Sequence, residues 1–161
     1  MNAPLKIDPD RVFSIRPASP ADGPMLSAMI RALAAQHGDV ARGSAQTLLI
    51  DAFGFEPWIR ILVAEAAGAL IGYAILLPTY AAHFGERGMN LHHLFVADGW
   101  RGKGVGKELV RAGTALAQAQ GCAFFTTGSH ADNTPAHAFY EAIGFSVDNR
   151  PTVHFSQRLT A

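Results

Sequence analysis

Hydrophobic positions recur along the chain with two periods, and each period predicts one kind of secondary structure. Runs rich in Ile, Val, Leu and Phe, bounded by Gly, Pro and polar residues, predict strands. We expect six strands, at Val12–Arg16, Trp58–Glu65, Ala69–Leu77, Met89–Ala97, Cys122–Thr127 and Val153–Gln157. The short Ala-Ala-Gly connection at 66–68 predicts a hairpin, and we expect Pro78 to end its second strand.

Apolar residues spaced three and four apart predict helices between these strands. The first helix is expected to begin at Ser19-Pro20-Ala21-Asp22, where Ser19 caps, Pro20 suits the first turn and Asp22 reaches back. This pattern ends at Gly38. Three further helices are expected at Ser44–Phe53, Val105–Gln120 and Asn133–Ile143, stopped by Gly54, Gly121 and Gly144.

The order of these elements predicts a mixed α/β (α+β) fold around one sheet. Its length of 161 residues suits one domain, and no repeat, low-complexity tract or linker divides it. We therefore expect a single catalytic domain over residues 1–161, with residues 1–11 as a flexible tail.

The composition argues against nucleic-acid and membrane partners. The 13 basic and 13 acidic residues balance, so no global field recruits nucleic acid or an anionic membrane. No run approaches the roughly 18 apolar residues of a membrane span, and residues 1–11 lack the apolar core of a signal peptide. Cys122 is the single cysteine, which suits a reducing compartment. We expect a cytoplasmic protein without nucleic-acid or membrane partners.

The most informative segment is the glycine loop, residues 101–107 (Arg-Gly-Lys-Gly-Val-Gly-Lys), which lies between a predicted strand and a predicted helix. Amides at a helix N-terminus and the helix dipole favour an anion, and glycines let the backbone approach a bulky phosphate. Arg101, Lys103 and Lys107 add positive charge. The loop fits neither the Walker motif nor the dinucleotide fingerprint, because its glycine spacing differs. The competing interpretation is a mobile turn with a solvated basic rim.

A second segment, residues 133–145, follows the predicted fifth strand. Taken alone, its aromatic residues would be core positions of an amphipathic helix and Asn133 only a cap. Together the two segments resemble the GNAT superfamily of N-acetyltransferases. The glycine loop matches the family's Arg/Gln-x-x-Gly-x-Gly/Ala signature, and the second segment matches its Asn-x-x-Ala-x-x-Phe-Tyr-x-x-x-Gly-Phe pattern. The matching positions are Arg101, Gly104, Gly106, Asn133, Ala136, Phe139, Tyr140, Gly144 and Phe145.

The resemblance implies a mixed, mostly antiparallel central sheet, flanked by helices, whose splayed strands hold acetyl-CoA. The pantetheine arm would pair with the backbone of Phe95–Ala97, the pyrophosphate would lie on the amides of the glycine loop, and Asn133 would bond the cofactor arm. Tyr140 would lie beside the thioester sulfur as the general acid. The full cofactor-binding set that the resemblance implies is Phe95, Val96, Ala97, Arg101, Gly102, Lys103, Gly104, Val105, Gly106, Lys107, Asn133, Phe139 and Tyr140.

A finer likeness points to the spermidine/spermine and thialysine N-acetyltransferase branch, whose members acetylate small amines and are usually homodimers. It is carried by residues 14–22, 51–54, 58, 62–65 and 78–80, the last ending at Tyr80 as a candidate acceptor-binding residue. The chain departs from the branch where Leu-Glu-Asp becomes Leu91-His92-His93, and again where several acids become Ala35-Gln36-His37-Gly38-Asp39. A polycation needs paired carboxylates, so these losses count against a polyamine acceptor.

The two histidines have competing interpretations. Neighbouring strand residues point to opposite faces, so at most one should face the acceptor unless a bulge intervenes. In the first interpretation one histidine is structural and the other lines the cleft. In the second, His92 takes the place of the branch's glutamate and removes the amine proton, directly or through water. His130-Ala131-Asp132 is too short a ligand set to predict a metal.

We therefore expect an acetyl-CoA-dependent N-acetyltransferase that acts on a primary amine of a small molecule by direct attack on the thioester, without a metal, and that forms a homodimer. A protein Lys or N-terminal acetyltransferase, or a non-catalytic acetyl-CoA-binding regulatory module, remains an alternative.

Overall fold

The computed structural model describes residues 12–148 together with residues 155 and 157. The chain forms two compact units, Met1–Gly128 and Ser129–Ala161. The prediction of one catalytic domain over residues 1–161 stays a prediction. The predicted tail and most of the predicted strand Val153–Gln157 lie outside the described residues.

The first unit is built on a five-stranded sheet in the order β1-β2-β3-β4-β5. The first three junctions are antiparallel, and β4 and β5 run parallel. Its strands are β1 (Ser14–Pro17), β2 (Arg60–Ala66), β3 (Ala69–Ala81), β4 (Glu86–Val96) and β5 (Phe124–Thr127). Its α-helices are α1 (Gly23–Gln36), α2 (Ala45–Phe53) and α3 (Val105–Ala119). The predicted mixed, mostly antiparallel sheet with flanking helices is confirmed.

The β2–β3 hairpin turns through two residues, Ala67 and Gly68, because Ala66 pairs with Ala69. Both turn residues have positive φ, +49° and +77°. This is the backbone of a type I′ turn, whose twist matches that of the two strands. The predicted hairpin is therefore confirmed.

The prediction that Pro78 ends its strand is wrong, because β3 continues to Ala81. Pro78 pairs with Met89 on β4, and β2 has already ended its pairing at Leu76 on the other side. An edge position requires no hydrogen bond from the missing N–H on that side. A proline therefore does not interrupt the long β3–β4 hairpin.

Two helical layers bury opposite faces of the sheet. Tyr73, Ile75 and Phe95 form a buried cluster with Leu26 and Met29 of α1. On the other face α3 packs so closely that a Cβ at Gly113 would meet Phe125 at 3.2 Å and Leu76 at 3.4 Å. Alternate positions of β3 thus belong to different layers, as the twofold repeat of a strand requires.

An ion-pair network fixes the start of α1. The Asp22 carboxylate accepts a hydrogen bond from Ser19 N–H at 2.7 Å, which confirms the predicted reach back to the cap. Arg16 donates to Asp22 at 2.8 Å and to Glu65 at 2.7 Å. Mainly because of the Arg16 hydrogen bond, the pKa of Asp22 falls from 3.8 to about 2. The helix entry is therefore fastened to β1 and β2.

The second unit contains α4 (Thr134–Ala142) among its described residues. The predicted cap is confirmed, since Asn133 Oδ1 accepts a hydrogen bond from Ala136 N–H at 3.2 Å. Gly144, just past the helix, has a φ of +100°, which explains the predicted stop.

Candidate active site

The sheet opens where β4 leaves β5. The last register pair is Leu91 with Thr127, and the Thr127 hydroxyl donates to Leu91 O at 3.1 Å. Among the described residues β4 has no strand partner on that side after Leu91, so residues 92–96 form what we call the open edge of β4. Splayed strands of this kind leave backbone groups available to a ligand.

The direction of these backbone groups follows from the β3–β4 ladder. Ala97 N–H donates to Ile71 O at 2.9 Å, so Ala97 faces β3. Antiparallel pairs alternate, so the N–H and C=O of Phe95 also face β3, whereas those of Leu94 and Val96 face the opening. The sequence predicted that Phe95, Val96 and Ala97 pair with the cofactor arm, but of these three only Val96 has a backbone N–H and C=O that face the opening. Leu94, which the sequence analysis omitted, is the second.

The glycine loop adjoins this edge and ends at the N-terminus of α3. Gly102 and Gly104 have φ of +72° and +82°, a region that L side chains rarely adopt. Gly104 is the N-cap of α3, and no side chain caps the helix there. The amides of the first turn therefore point out of the helix, and no side chain of the described residues is recorded as accepting from them. Val105 is 1% exposed, so only its backbone is available to a ligand.

The Arg101 side chain bonds to neighbouring residues and so holds the glycine loop in place. Its Nε donates to Val96 O at 3.1 Å, its guanidinium pairs with Asp98 at 3.0 Å, and it donates to Gln36 Oε1 at 3.0 Å. These contacts join the end of β4, the loop and the end of α1. The structure thus gives Arg101 a positioning role in addition to the predicted charge.

The two lysines of the loop differ. Lys103 Nζ lies 5.2 Å from the ring centroid of Trp100, a cation–π arrangement. Lys107 has no ion-pair or hydrogen-bond partner within the described residues and lies exposed in the first turn of α3. Lys107 is therefore the loop cation most available to an anion.

His92 and His93 lie on one face of the sheet, which contradicts the expectation for a regular strand. Ile75 pairs with His93 but Leu76 pairs with Leu91, so His92 is the extra residue of a β-bulge. The two imidazoles stack, with centroids 4.8 Å apart and planes 10° apart. We call this pair the histidine bulge. It is the exception that the alternation argument allowed for, and the sequence did not reveal it.

The two histidines differ in burial. His92 is exposed and His93 is half-buried. Burial, followed by the charges of His92 and His37, lowers the pKa of His93 below its ordinary value of 6.5. Within the described chain, Nδ1 of His93 has one hydrogen-bond partner, the Tyr73 hydroxyl at 3.5 Å.

Tyr73 contacts the candidate site through His93, and the sequence analysis did not name it. Its side chain is 0% exposed, and its ring stacks on Phe95 at 5.8 Å. Burial raises the pKa of its hydroxyl, so Tyr73 stays protonated. A tyrosine in an apolar strand resembles an ordinary core residue, and only the bulge brings His93 to its hydroxyl.

Tyr80 lies away from the histidine bulge. It pairs with Arg87 near the tip of the β3–β4 hairpin and is 62% exposed. Arg87 is five residues from His92 along β4, or about 17 Å at the ordinary rise of a strand. The structure does not bring Tyr80 together with His92 and His93.

In the second unit, Phe139 and Tyr140 are half-buried neighbours on α4. The Tyr140 ring makes edge contacts with Phe139 and Phe145, with centroids 5.2 and 5.5 Å apart. Its hydroxyl has no hydrogen-bond partner within the described residues. Asn133 uses Oδ1 as the helix cap, which leaves its Nδ2 as a donor.

The described part of the chain offers neither a cluster of metal ligands nor a helix suited to a membrane. In residues 12–148, 155 and 157, no group of three or more His, Cys, Asp and Glu side chains could hold a metal ion. Within those same residues, none of the helices combines the length and the apolar character that a membrane crossing needs.

Comparison with known proteins identifies the family. The family model for acetyltransferases of the GNAT type matches residues 27–145. Thialysine N-epsilon-acetyltransferase of Sus scrofa is 29% identical over 140 residues, which cover 81% of this chain and 82% of the relative. An L-methionine sulfoximine/L-methionine sulfone acetyltransferase of Pseudomonas paraeruginosa is 33% identical over 91 residues, covering 56% and 52%.

A solved structure supports the fold. An aminoglycoside acetyltransferase from an uncultured soil metagenomic sample superimposes with a TM-score of 0.77 at 17% identity, covering 95% of this chain and all of the other. The family match spans both the glycine loop and the Phe-Tyr segment of α4. The chain belongs to the GNAT family of acetyltransferases and is an N-acetyltransferase.

Proposed function

We propose that this enzyme transfers an acetyl group from acetyl-CoA to a primary amine of a small molecule. The observation that carries the proposal is the placement of the uncapped N-terminus of α3 directly after the open edge of β4. The N-terminus of α3 offers amides to an anion, and the open edge of β4 offers backbone groups to an extended arm. A ligand with a pyrophosphate and an amide-containing arm requires both.

The residues present fit acetyl-CoA. The amides of residues 102–107 and the exposed ammonium of Lys107 would hold the pyrophosphate, since two glycines at positive φ leave no side chain against it. The backbone of Leu94 and the N–H of Val96 would pair with the pantetheine arm, since Val96 O already accepts a hydrogen bond from Arg101. Asn133 would donate to the arm from Nδ2, as the family resemblance implies.

Acetyl-CoA supplies the acetyl group already activated as a thioester, so the residues of this chain need to manage protons and charge. An amine holds its proton up to about pH 10, and it must lose that proton before it attacks. His92, exposed on the histidine bulge, would accept it directly or through water. Amides on the open edge of β4 would stabilise the oxyanion.

Tyr140 would give a proton to the departing thiolate. An ordinary phenol has a pKa near 10 and an ordinary thiol near 8.5, so this transfer is uphill by about 2 kcal/mol. The thiolate is also a fair leaving group without help. We therefore expect Tyr140 to contribute at the low end of the range for general acids.

The acceptor should carry one reactive amine and not a chain of them. The histidine bulge replaces two acids of the branch, and the charges that act on His93 come from His92 and His37. Neutral imidazoles do not attract additional ammonium groups, and protonated ones repel them. The names of the two relatives above give thialysine and L-methionine sulfoximine or sulfone as their acceptors.

The test is thiol release from acetyl-CoA in the presence of a panel of amines. We expect turnover with small monoamines and weak turnover with spermine. Acetylation of proteins but of no small amine would favour a protein acetyltransferase, and CoA binding without any turnover would favour a regulatory module. Efficient spermine turnover would show that acids such as Asp39, Asp51 or Glu56 supply the missing charge.

We also propose a homodimer in a reducing, cytoplasmic compartment. The dimer rests on the branch resemblance, and the compartment rests on the single cysteine, which can form no intrachain disulfide. Light scattering of the purified chain tests the first. Localisation of a tagged protein tests the second.

A further inference from the structure

The histidine bulge contains a hydrogen-bond arrangement that the reaction described above does not use. The buried Tyr73 hydroxyl and Nδ1 of His93 are 3.5 Å apart, and each is the other's hydrogen-bond partner within the described residues. A buried hydroxyl must donate its proton to some acceptor. Nδ1 of a neutral imidazole can serve as this acceptor only if the ring proton is on Nε2.

We propose that His93, fixed in its Nε2–H tautomer by the Tyr73 hydroxyl, is the hydrogen-bond donor that recognises a carboxylate on the acceptor amine. This inference rests on the proposed function and names the acceptor class: small amines that carry a carboxylate beside the amine.

The geometry gives the two imidazoles different roles, His93 as a hydrogen-bond donor and His92 as a base. His93 is half-buried, and Tyr73 occupies the nitrogen that could accept a proton, so His93 is a poor base. His92 is exposed and stacks on His93 at 4.8 Å, so it can exchange protons beside a neutral partner. Neighbouring titratable groups in unlike environments commonly take unlike roles.

The surrounding charges also favour an anion. Among the described residues, the titratable groups that act on His93 are Tyr73 from β3, His92 from β4 and His37 at the end of α1, and none of these three is a carboxylate. Burial and the two histidines lower the pKa of His93, which favours its neutral, donating form. A carboxylate would accept a hydrogen bond from Nε2–H without competing with an acid of the protein.

The first measurement does not depend on turnover. Long-range ¹H–¹⁵N spectra of the histidine rings should show His93 as the Nε2–H tautomer at pH 7. In Tyr73→Phe, which keeps the aromatic packing, the Nδ1–H tautomer should appear. His83→Ala, a change at an exposed histidine of the β3–β4 hairpin, is the control and also helps to assign the signals.

The second measurement uses matched pairs of amines with and without the carboxylate: L-methionine sulfone against 3-(methylsulfonyl)propan-1-amine, and L-lysine against pentane-1,5-diamine. Binding is measured by calorimetry, which does not require the His93 ring and therefore also serves the His93 variants. We expect the amino acids to bind about 10- to 100-fold more tightly, the range for a hydrogen bond to a charged group. This preference should shrink in Tyr73→Phe and disappear in His93→Ala, and His93→Gln, which keeps an N–H donor, should restore part of it.

The outcomes separate the two proposals. A wild-type His93 in the Nδ1–H tautomer, or equal binding within both pairs, would overturn the inference even if the enzyme acetylates amines. The expected tautomer and the expected binding preference, without thiol release from any amine, would uphold the inference and reject the proposed function.

Discussion

The glycine loop and the histidine bulge lie at the two ends of the open edge of β4, but they offer a ligand different chemistry. The loop presents backbone amides, and its shape depends on Gly102 and Gly104 at positive φ. The bulge presents two imidazoles that an extra strand residue turns to one face. Backbone amides do not change charge with pH and do not depend on side-chain identity, so the loop suits a cosubstrate that is the same in every reaction. Side chains can change between relatives, so the bulge suits the choice of acceptor.

This contrast predicts that changes in the two regions affect different kinetic constants. Variants of the loop should weaken CoA binding and leave the response to acceptor and pH unchanged. Variants of the bulge should change the response to acceptor and pH and leave CoA binding unchanged. A variant in one region that changes both would show that the two regions do not act separately.

The largest expected effect is the loss of CoA binding in Gly104→Asp. A side chain at a φ of +82° costs about 1–2 kcal/mol, and the introduced carboxylate would accept from the same amides that an anion needs. Losing two charge-assisted hydrogen bonds alone weakens binding by about 100-fold or more. Calorimetry with CoA measures this.

The matched control is Gly99→Asp, which places the same charge nearby at a residue with ordinary φ and open space around it. It should bind CoA nearly as the wild type does. The fold of Gly104→Asp should persist because a cost of about 1–2 kcal/mol is smaller than the usual stability of a domain, about 5–15 kcal/mol. Unchanged CoA affinity in Gly104→Asp would reject the assignment of the loop.

The next effect is on the acceptor side. His92→Ala should lower turnover by about 100-fold, the low end for a general base, and should remove the rising limb of the pH–rate profile. The KM for acetyl-CoA should not change. His93→Ala should keep the limb and raise the KM of a carboxylate-bearing acceptor.

The pH profile itself identifies the base. The pKa of His93 is lowered, so a base at His93 would give a limb below pH 6.5 that disappears in His93→Ala. That result would transfer the role from His92 to His93. An unaltered limb in both variants would place the base outside the bulge.

A smaller effect is expected at Tyr140, in the second unit. Tyr140→Phe keeps the ring contacts with Phe139 and Phe145 and removes the hydroxyl. Turnover should fall by about 10- to 100-fold while acetyl-CoA affinity changes little, because the thiolate leaves readily without help. Full turnover at every pH would leave Tyr140 as a packing residue only.

The two regions also differ in how far the sequence predicts them. The glycine loop depends on local features, three glycines between a strand and a helix, so its position and the start of α3 at Val105 could be predicted. The cap Asn133 could be predicted for the same reason. Local pattern also explains why the sheet and its hairpin turn were expected.

The remaining features depend on pairing between distant segments. Nothing in Leu91-His92-His93 marks a bulge, which exists only because β3 continues past it without an extra residue. The same register determines that Leu94 and not Phe95 faces the opening, and that Pro78 lies where β2 has ended. Tyr73 and the contacts of Arg101 with Gln36 were missed because they join residues far apart in the chain.

The smallest expected effect is on stability, and it tests whether the bulge keeps His93 neutral. The folded pKa of His93 lies below its unfolded value of about 6.5, so between these two values the unfolded chain binds one more proton than the folded chain. The free energy of unfolding contributed by this group is therefore complete above pH 6.5 and decreases as the pH falls toward the folded pKa. Urea unfolding at pH 7 and pH 5 should show a smaller loss in His93→Gln, which cannot titrate, than in the wild type. His83→Gln, at an exposed position of the hairpin, should lose as much as the wild type. An equal loss in all three proteins would mean that His93 is not kept neutral by the fold, and the division of roles between the two imidazoles would then have no electrostatic basis.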